Sequence, residues 1–415
     1  MTEKTKNPGI FKRLGLMLAV VGPGIITSNV DNDAGGITTY SLAGAEFGLS
    51  LLWTLIPITV VLIMVQNLSA RMGTATGKGL AALIRERFGA GISVYLMIGL
   101  VLTNLGNTIA EFAGVAAAMQ IFGIKPVISV PIAAILVWFL VLKASYKAVE
   151  KVFLWACVFY VAYIVSGFMV EPDWAAVGSA MTDASNFDLS HEATIMVVAL
   201  VGTTIAPWMQ FYLQASIVDK GLTYKNYRLV RWDVIIGSIC VSVVAFFIIL
   251  VCASTLHPQG IIIEDASQAA LALAPVAGYY ASTLFAFGLL NASLFAACIL
   301  PLSTAYTVCE ALGWEASVDL RFSEALQFYV LYALMIILGA GVVMLPDLPL
   351  IPIMYFSQVL NGLVLPVVLC FMVLLVSDEQ IMGQARLGFL GRMANWIVVV
   401  VLSMLSVYLA FISIF

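Results

Sequence analysis

Long apolar runs constrain this chain more than any other feature of its sequence. Eleven stretches of about 20 residues, each bounded by charged or turn-forming residues, follow one another along the 415 positions. Hydrophobic residues make up 62% of the chain and charged residues only 10%, which favours a membrane protein over several soluble domains. The sequence therefore predicts an all-α, polytopic membrane protein with eleven transmembrane helices and a single integral domain over residues 1–415.

The positions of the charged residues predict where the spans lie and how they are oriented. The predicted spans are approximately 14–45 with a break, 50–70, 92–122, 127–143, 151–170, 193–218 with a break, 233–256, 280–312, 325–345, 352–376 and 393–414. Lys and Arg cluster before span one and after every even-numbered span, with Lys125 as the exception, and acids dominate the alternate loops. Because basic loops stay inside, the N-terminus is predicted to be cytoplasmic and the C-terminus extracellular, with the cell membrane as the location.

The first predicted span contains a polar stretch at residues 29–36. It places Asp31 and Asp33 beside the consecutive glycines Gly35 and Gly36, well inside the apolar run. An ionised carboxylate near the bilayer centre costs at least about 2.5 kcal/mol, and paired glycines weaken the helix. A helix that breaks beside acidic side chains is typical of a cation site. The same residues would also fit acids at a membrane interface and glycines that serve only close helix packing.

The sixth predicted span contains a second candidate break, between Gly202 and Pro207. Pro207 lacks an amide hydrogen and clashes with the carbonyl four residues earlier, and Gly202 loosens the same turn. By itself this could be an ordinary proline kink. If the chain contains two repeats of five spans, at approximately 14–170 and 193–376, span six corresponds to span one. Paired breaks then predict a transporter built from inverted repeats, with an extra helix at 393–414.

Two further spans carry polar residues at helical spacing. In span three, one helical face contains Asn104, Asn107, Thr108 and Glu111. Glu111 either lines a polar path or has a structural, hydrogen-bonded role. Span ten places Gln358 and Asn361 on one face, where they are predicted to reach the same cavity.

Several motifs resemble those of the natural resistance-associated macrophage protein (NRAMP) metal transporters. The matching segments are Gly22-Pro23-Gly24, Asp33-Ala34-Gly35-Gly36, Ala43-Gly44-Ala45, Phe47-Gly48, Leu51-Leu52-Trp53, Ala110-Glu111-Phe112, Ala206-Pro207-Trp208, and Ser377-Asp378 with Met382-Gly383. They occur in register over spans one to ten. The resemblance implies the LeuT-type fold, an inverted 5+5 repeat with broken helices 1 and 6 that hold a metal ion between them. It further implies that Asp33 and the backbone carbonyl of Thr203 are ligands.

The chain departs from the NRAMP pattern at four positions. The asparagine of the family's Asp-Pro-Gly-Asn signature is Gly36, the methionine of its Met-Pro-His signature is Ala206, and the histidine is Trp208. The acid one turn before Glu111 is Thr108. This pattern resembles the divergent branch known as NRAMP-related magnesium transporters.

The chemistry of these departures favours a hard, hydrated ion. Methionine sulfur selects transition metals, and Ala206 removes it. Mg²⁺ takes oxygen ligands, dehydrates reluctantly and is usually bound by one or two carboxylates. Gly36 and Ala206 are predicted to make room, while Asp33 supplies charge. Asp31 would point away from Asp33 in a helix, but an unwound segment could turn both carboxylates inward.

The same departures bear on proton coupling. Histidine titrates near neutral pH, whereas tryptophan accepts no proton, so Trp208 and Thr108 leave the family's proton relay mostly dismantled. The sequence therefore predicts uncoupled uptake of Mg²⁺, and also Mn²⁺, by alternating access. The alternative is a proton-coupled Mn²⁺/Fe²⁺ symporter, for which Glu111 leaves a route open.

Other classes fit the sequence less well. An amino-acid transporter would need free helix N-termini to bind the carboxylate of its substrate. The negative charges of two nearby aspartates argue against binding of such a carboxylate. An intramembrane aspartyl protease needs carboxylates from separate helices, but Asp31 and Asp33 share one segment. A channel remains open because gating leaves no clear trace in a sequence. We expect a monomer that is not an enzyme, needs no cofactor, binds no nucleic acid, and has the lipid bilayer and a divalent ion as its partners.

Overall fold

The computed structural model describes Thr27 and residues 30–143, 160–182, 190–318 and 320–414. In these ranges all regular secondary structure is helical. The α-helices are α1 (Ala34–Phe47), α2 (Leu55–Thr76), α3 (Leu80–Ile121), α4 (Pro126–Lys143), α5 (Val161–Met169), α6 (Trp174–Thr182), α7 (His191–Thr204), α8 (Pro207–Asp219), α9 (Tyr227–Thr255), α10 (Ala266–Ala270), α11 (Ala274–Ala277), α12 (Ala281–Leu312), α13 (Leu326–Val343), α14 (Leu350–Ser377), α15 (Glu379–Met382) and α16 (Phe389–Ile414). The all-α prediction is confirmed over this part of the chain.

Eight helical segments of the described chain are long and apolar enough to cross a membrane. They are Leu52–Thr76, Leu80–Ile121, His191–Asp219, Tyr224–Gln259, Gly278–Leu312, Leu326–Val343, Leu350–Ser377 and Phe389–Ile412. These match eight of the eleven predicted spans, and a shorter apolar helix at Pro126–Leu142 matches span four. Most of the first half of span one, with Gly22-Pro23-Gly24, and residues 151–159 of span five lie outside the described residues.

Helix α3 begins earlier than the sequence predicts. It starts at Leu80, whereas the predicted span starts at 92, and its backbone leaves the helical region at Gly89 with φ 85° and ψ 165°. Glycine adopts positive φ without a steric penalty. Gly89 therefore lets the chain change direction between the short helical segment that precedes it and the membrane-crossing segment that follows it. The charged residues before Gly89 had placed the predicted boundary too late.

The first and sixth spans lie among the helices that contact one another most. Helix α3 packs against α12 and α14, while α14 also packs against α7 and α1. Glycine permits the closest of these approaches. A Cβ atom at Gly202 of α7 would overlap the backbone at Gly362 of α14, and a Cβ at Gly114 of α3 would overlap Ala34 at the start of α1. The two candidate breaks are therefore held inside the bundle.

Candidate metal-binding site between the two broken helices

The first break lies at residues 31–33. The backbone there is not helical, although Val30 before it is helical and α1 follows it. Asp33 is the N-cap of α1, and its Oδ1 accepts a hydrogen bond of 2.7 Å from the amide of Gly36. A helix N-terminus presents free N–H groups and a positive partial charge, which favour an anion. The break thus fixes the Asp33 carboxyl group at the end of α1.

The second break lies between Thr204, where α7 ends, and Pro207, where α8 begins. In a continuous helix the carbonyl of Thr203 would accept a hydrogen bond from the amide of residue 207. Proline has no such hydrogen, so the break leaves the Thr203 carbonyl without its helical donor. This is the carbonyl that the family resemblance implies as a ligand.

Three oxygen atoms from both breaks converge around Gly36. A Cβ atom on Gly36 would overlap the backbone carbonyl oxygen of Asp31 and would lie 3.3 Å from Thr203 Oγ1 and 3.4 Å from Asp33 Oδ1. The space that a side chain would fill is therefore taken by the Asp31 carbonyl. Gly36 brings oxygens together here, whereas the sequence predicted that it would leave room.

Several polar atoms at the breaks are buried without a hydrogen-bond partner in the described part of the chain. They are Asp31 Oδ2, Asn32 Oδ1 and Thr203 Oγ1. Asp31 is only 2% exposed, so water does not satisfy it from the surface. Because an unpaired buried polar group destabilises a protein, such a group of oxygens calls for a ligand that binds oxygen. A cation or its bound water would supply one.

Glu111 of α3 contacts the start of α1. Its Oε2 accepts a hydrogen bond of 3.3 Å from the amide of Ala34. Its other oxygen, Oε1, is buried without a hydrogen-bond partner in the described ranges. Glu111 thus has the structural role that the sequence allowed and also faces the predicted site.

A network of neutral amides connects α3 and α14 to the first break. Asn107 and Asn361 exchange two hydrogen bonds of 2.9 and 3.0 Å, and Asn361 also donates to Gln358 Oε1 at 2.8 Å. A Cβ atom on Gly35 would overlap the side-chain amide of Gln358. Gln358 therefore lies against the start of α1, with Asn361 behind it.

Thr108 and Trp208, the positions where the sequence predicts that the proton relay is dismantled, are packed in the interior. The Thr108 hydroxyl donates 2.8 Å back to the Asn104 carbonyl, and its methyl group would contact a Cβ on Gly339 of α13. Trp208 is 1% exposed in the hydrophobic core, with its ring centroid 6.3 Å from that of Tyr212. In this structure both residues support helix packing.

Two tyrosines bonded to the breaks were missed by sequence reasoning. The Tyr40 hydroxyl lies 2.8 Å from Thr204 Oγ1, and the Tyr160 hydroxyl donates 2.7 Å to the Asn32 carbonyl. Tyr40 follows Asp33 by two helical turns, so its position on the same face was an available signal. Tyr160 lies 128 positions from Asn32 and offered no local signal.

The site is poor in the side chains that bind transition metals most tightly. No group of three or more His, Cys, Asp or Glu residues that could hold a metal ion occurs in the ranges that the structure describes. Ala206, the N-cap of α8, is 2% exposed and has no donor atom in its side chain. An ion at the breaks would be bound by carbonyl, hydroxyl and carboxyl oxygens.

The fold matches known transporters of the LeuT type. A manganese transporter from Eremococcus coleocola, solved with an aromatic bis-isothiourea compound, superposes with a TM-score of 0.77 at 21% identity, over 96% of this chain and 87% of that one. A variant of that transporter gives 0.77 at 19% identity, over 97% and 88%. MhsT in complex with L-phenylalanine gives 0.59 at 15% identity, over 97% and 98%. The bundle with two broken helices thus has a LeuT-like fold.

The family is shown by the sequence itself. The model described as natural resistance-associated macrophage protein-like matches residues 24–411, which is nearly the whole chain. The chain belongs to the NRAMP family of metal-ion transporters.

Proposed function

We propose that this protein mediates the uptake of divalent metal ions, chiefly Mg²⁺ and also Mn²⁺, as partly hydrated ions by alternating access. The observation that carries the proposal is the set of atoms around Gly36, which are the Asp31 carbonyl, the Thr203 hydroxyl and the Asp33 carboxyl oxygens. All three are hard donors, and hard donors suit Mg²⁺ and Mn²⁺ better than soft metals.

The proposed ion is bound mainly by Asp33 and by the Thr203 carbonyl that Pro207 leaves free. Mg²⁺ holds its ligands at about 2.0 to 2.1 Å and usually keeps several waters. The unpartnered oxygens of Asp31 and Thr203 would accept hydrogen bonds from those waters. Gly36 and Ala206 contribute because neither has a side-chain donor atom that would replace the waters bound to the ion.

We further propose that transport is not coupled to protons. The buried packing of Trp208 and Thr108 supports this, because neither side chain can carry a proton along the family's route. The membrane potential supplies about 2.3 kcal/mol per charge per 100 mV, and twice that for a divalent ion. The position of Glu111 is the observation that favours the alternative, a proton-coupled Mn²⁺/Fe²⁺ symporter, since a buried carboxyl group bonded to the amide of Ala34, next to Asp33, could carry a proton.

The proposed setting is the cell membrane, with a monomer whose N-terminus is cytoplasmic and whose C-terminus is extracellular. The charge of the loops supports this orientation. A saturable, slow flux would distinguish the proposed carrier from a channel of the same fold.

Uptake into liposomes tests both parts of the proposal. Purified protein is reconstituted, Mg²⁺ or Mn²⁺ is added outside, and the metal and the internal pH are followed with separate dyes. We expect Mg²⁺ to enter, to suppress Mn²⁺ uptake at millimolar excess, and to leave the internal pH unchanged. Acidification that depends on the metal would refute uncoupled transport, and Mn²⁺ uptake that ignores Mg²⁺ would refute the substrate.

A further inference from the structure

Buried amide side chains follow α8 away from the second break. Gln210 and Gln214 of α8, together with Gln66 and Ser69 of α2, are all fully buried at 0% exposure. Helices α2 and α8 pack directly against each other. Four polar residues on one helix interface inside a membrane protein require an explanation, because the apolar residues around them could fill the same volume.

The contacts place these residues in one line. The Ser69 hydroxyl donates 3.3 Å to Gln210 Oε1, and a Cβ on Gly73 would lie 3.2 Å from Gln214 Cγ. Both helices advance by four residues between these contacts, so they run parallel in register. Gln66, three residues before Ser69, is therefore level with Pro207 at the break. With a rise of 1.5 Å per residue, Gln210 and Gln214 follow at about 4.5 and about 10.5 Å along α8.

Most of the amide atoms in this line have no partner. Gln66 Oε1, Gln66 Nε2, Gln210 Nε2 and Gln214 Oε1 are buried and form no hydrogen bond within the described ranges. The two remaining amide atoms are paired, since Gln210 Oε1 accepts from Ser69 and Gln214 Nε2 donates 2.8 Å to the carbonyl of Lys78. Unpaired buried amides destabilise a fold, and leucine or methionine at these positions would avoid that penalty. Stability therefore does not account for them.

The line ends beside carboxyl groups. Lys78 precedes Gly79, and a Cβ on Gly79 would overlap the carboxyl group of Glu310. Asp219, the last residue of α8, accepts a hydrogen bond of 3.0 Å from the Tyr306 hydroxyl. Neutral amides thus extend along α8 from the second break toward the acids at its far end.

We propose that Gln66, Gln210 and Gln214 form a second, transient binding station for the partly hydrated divalent cation as it leaves the breaks toward the side predicted to be cytoplasmic. The inference rests on the proposed function. Amide oxygens accept hydrogen bonds from metal-bound water, and amide nitrogens donate to waters further out. Because amides carry no charge, they hold the ion weakly, and the ion can continue to the acids at the end of α8.

The test compares the full-length chain with Gln66→Leu, Gln210→Leu and the double variant. The control is Ser238→Ala, which removes a buried hydroxyl of α9 that has no partner in the described chain. Thermal unfolding, Mg²⁺ binding by titration calorimetry, and liposome uptake of Mg²⁺ and Mn²⁺ are measured for each. We expect equal or higher melting temperatures, Mg²⁺ affinity close to wild type, and Mg²⁺ uptake slowed about tenfold in the double variant. Mn²⁺, which loses water more readily, should be slowed less.

Three results would overturn the inference. They are unchanged uptake in both single variants and the double variant, a loss of Mg²⁺ affinity that equals the loss of uptake, or a melting temperature lowered in every glutamine variant but not in the control. The second would assign the amides to the first site, and the third would assign them a structural role. Wild-type protein that takes up Mn²⁺ but not Mg²⁺ would refute the proposed function alone, and the Mn²⁺ measurements would then decide the inference.

Discussion

The hydroxyl groups of Tyr40 and Thr204 lie 2.8 Å apart and join the two broken helices. Tyr40 belongs to α1, after the first break, and Thr204 ends α7, before the second. The Thr204 hydroxyl donates to the Leu200 carbonyl at 2.8 Å, so Tyr40 is the donor in the bond between them. This bond ties together the two half-helices that frame the site.

Removing that bond should loosen the two half-helices without removing a ligand. Tyr40→Phe deletes only the donor and leaves Thr204 bonded to Leu200, so we expect a loss of about 1 kcal/mol in unfolding free energy. Thermal unfolding in detergent measures it, and Tyr279→Phe, at a tyrosine that is 95% exposed, is the matched control. Equal stability of the two variants would contradict the proposed tie.

The charge of Asp33 should be essential for metal binding. Asp33→Asn keeps an oxygen that can cap α1 but removes the negative charge, so the fold should survive. We expect Mg²⁺ and Mn²⁺ affinity to fall about 100-fold, equivalent to about 2.7 kcal/mol. Titration calorimetry on the variant and on wild type measures this. Unchanged binding of both ions would show that the site lies elsewhere.

A substitution that restores helical hydrogen bonding at the second break should stabilise the fold and weaken metal binding and transport. Pro207→Ala supplies an amide hydrogen that can bond to the Thr203 carbonyl, which would then be lost as a ligand. We expect a higher melting temperature together with weaker Mg²⁺ binding and slower uptake.

The matched control is Pro131→Ala, which removes the proline inside α4, away from the breaks. It should change stability without affecting Mg²⁺ binding. Equal effects of the two substitutions on binding would refute a special role for Pro207.

A sulfur ligand at position 206 should favour the transition metal Mn²⁺ over Mg²⁺, to which sulfur offers nothing. Ala206→Met adds a thioether at the start of α8, and we expect Mn²⁺ to gain about tenfold over Mg²⁺ in binding, which corresponds to about 1.4 kcal/mol. Ala206→Leu adds a similar side-chain volume without sulfur, so it separates the effect of the sulfur atom from the effect of side-chain size. Competition uptake with both ions measures the ratio, and the same ratio in the two variants would contradict the role of sulfur.

Because of Asp378, the free energy of unfolding should depend on pH in the acidic range. Partial burial acts to raise its pKa, but the amide of Gln380 and the guanidinium of Arg87 outweigh this and hold the pKa below its usual value. A lowered pKa in the folded state contributes stability above the unfolded pKa of about 3.9, and the contribution is lost as the pH falls through the folded value.

The corresponding variant is Asp378→Asn, which can still accept from Gln380. It should melt below wild type at neutral pH, and the difference should vanish in acid. A difference that stays constant with pH would assign the effect to packing.

The sequence predicted the local features of this protein well. Eight spans, the non-helical stretch before Asp33 and the break at Pro207 follow from hydropathy and from the backbone chemistry of neighbouring residues, so they could be derived from short segments. The early start of α3 was missed because hydropathy does not detect a charged helix that turns at Gly89.

The network around the site could not be predicted in the same way. Glu111 contacts Ala34 across 77 positions, and Asn107 contacts Asn361 across 254. Thr108 shares a face with Glu111 by spacing, but its methyl group packs toward Gly339. Such outcomes depend on which face each helix turns to its neighbours.

The sequence by itself determined that the chain crosses a membrane, where its helices break, and that an acid stands at the first break, because these depend on the free energy of single segments in lipid. Only the tertiary structure decided which oxygens meet at Gly36, and that four amide atoms of Gln66, Gln210 and Gln214 have no hydrogen-bond partner in the described part of the chain. Those relations arise from the rotation and close packing of helices that are far apart in the chain, and no single segment specifies them.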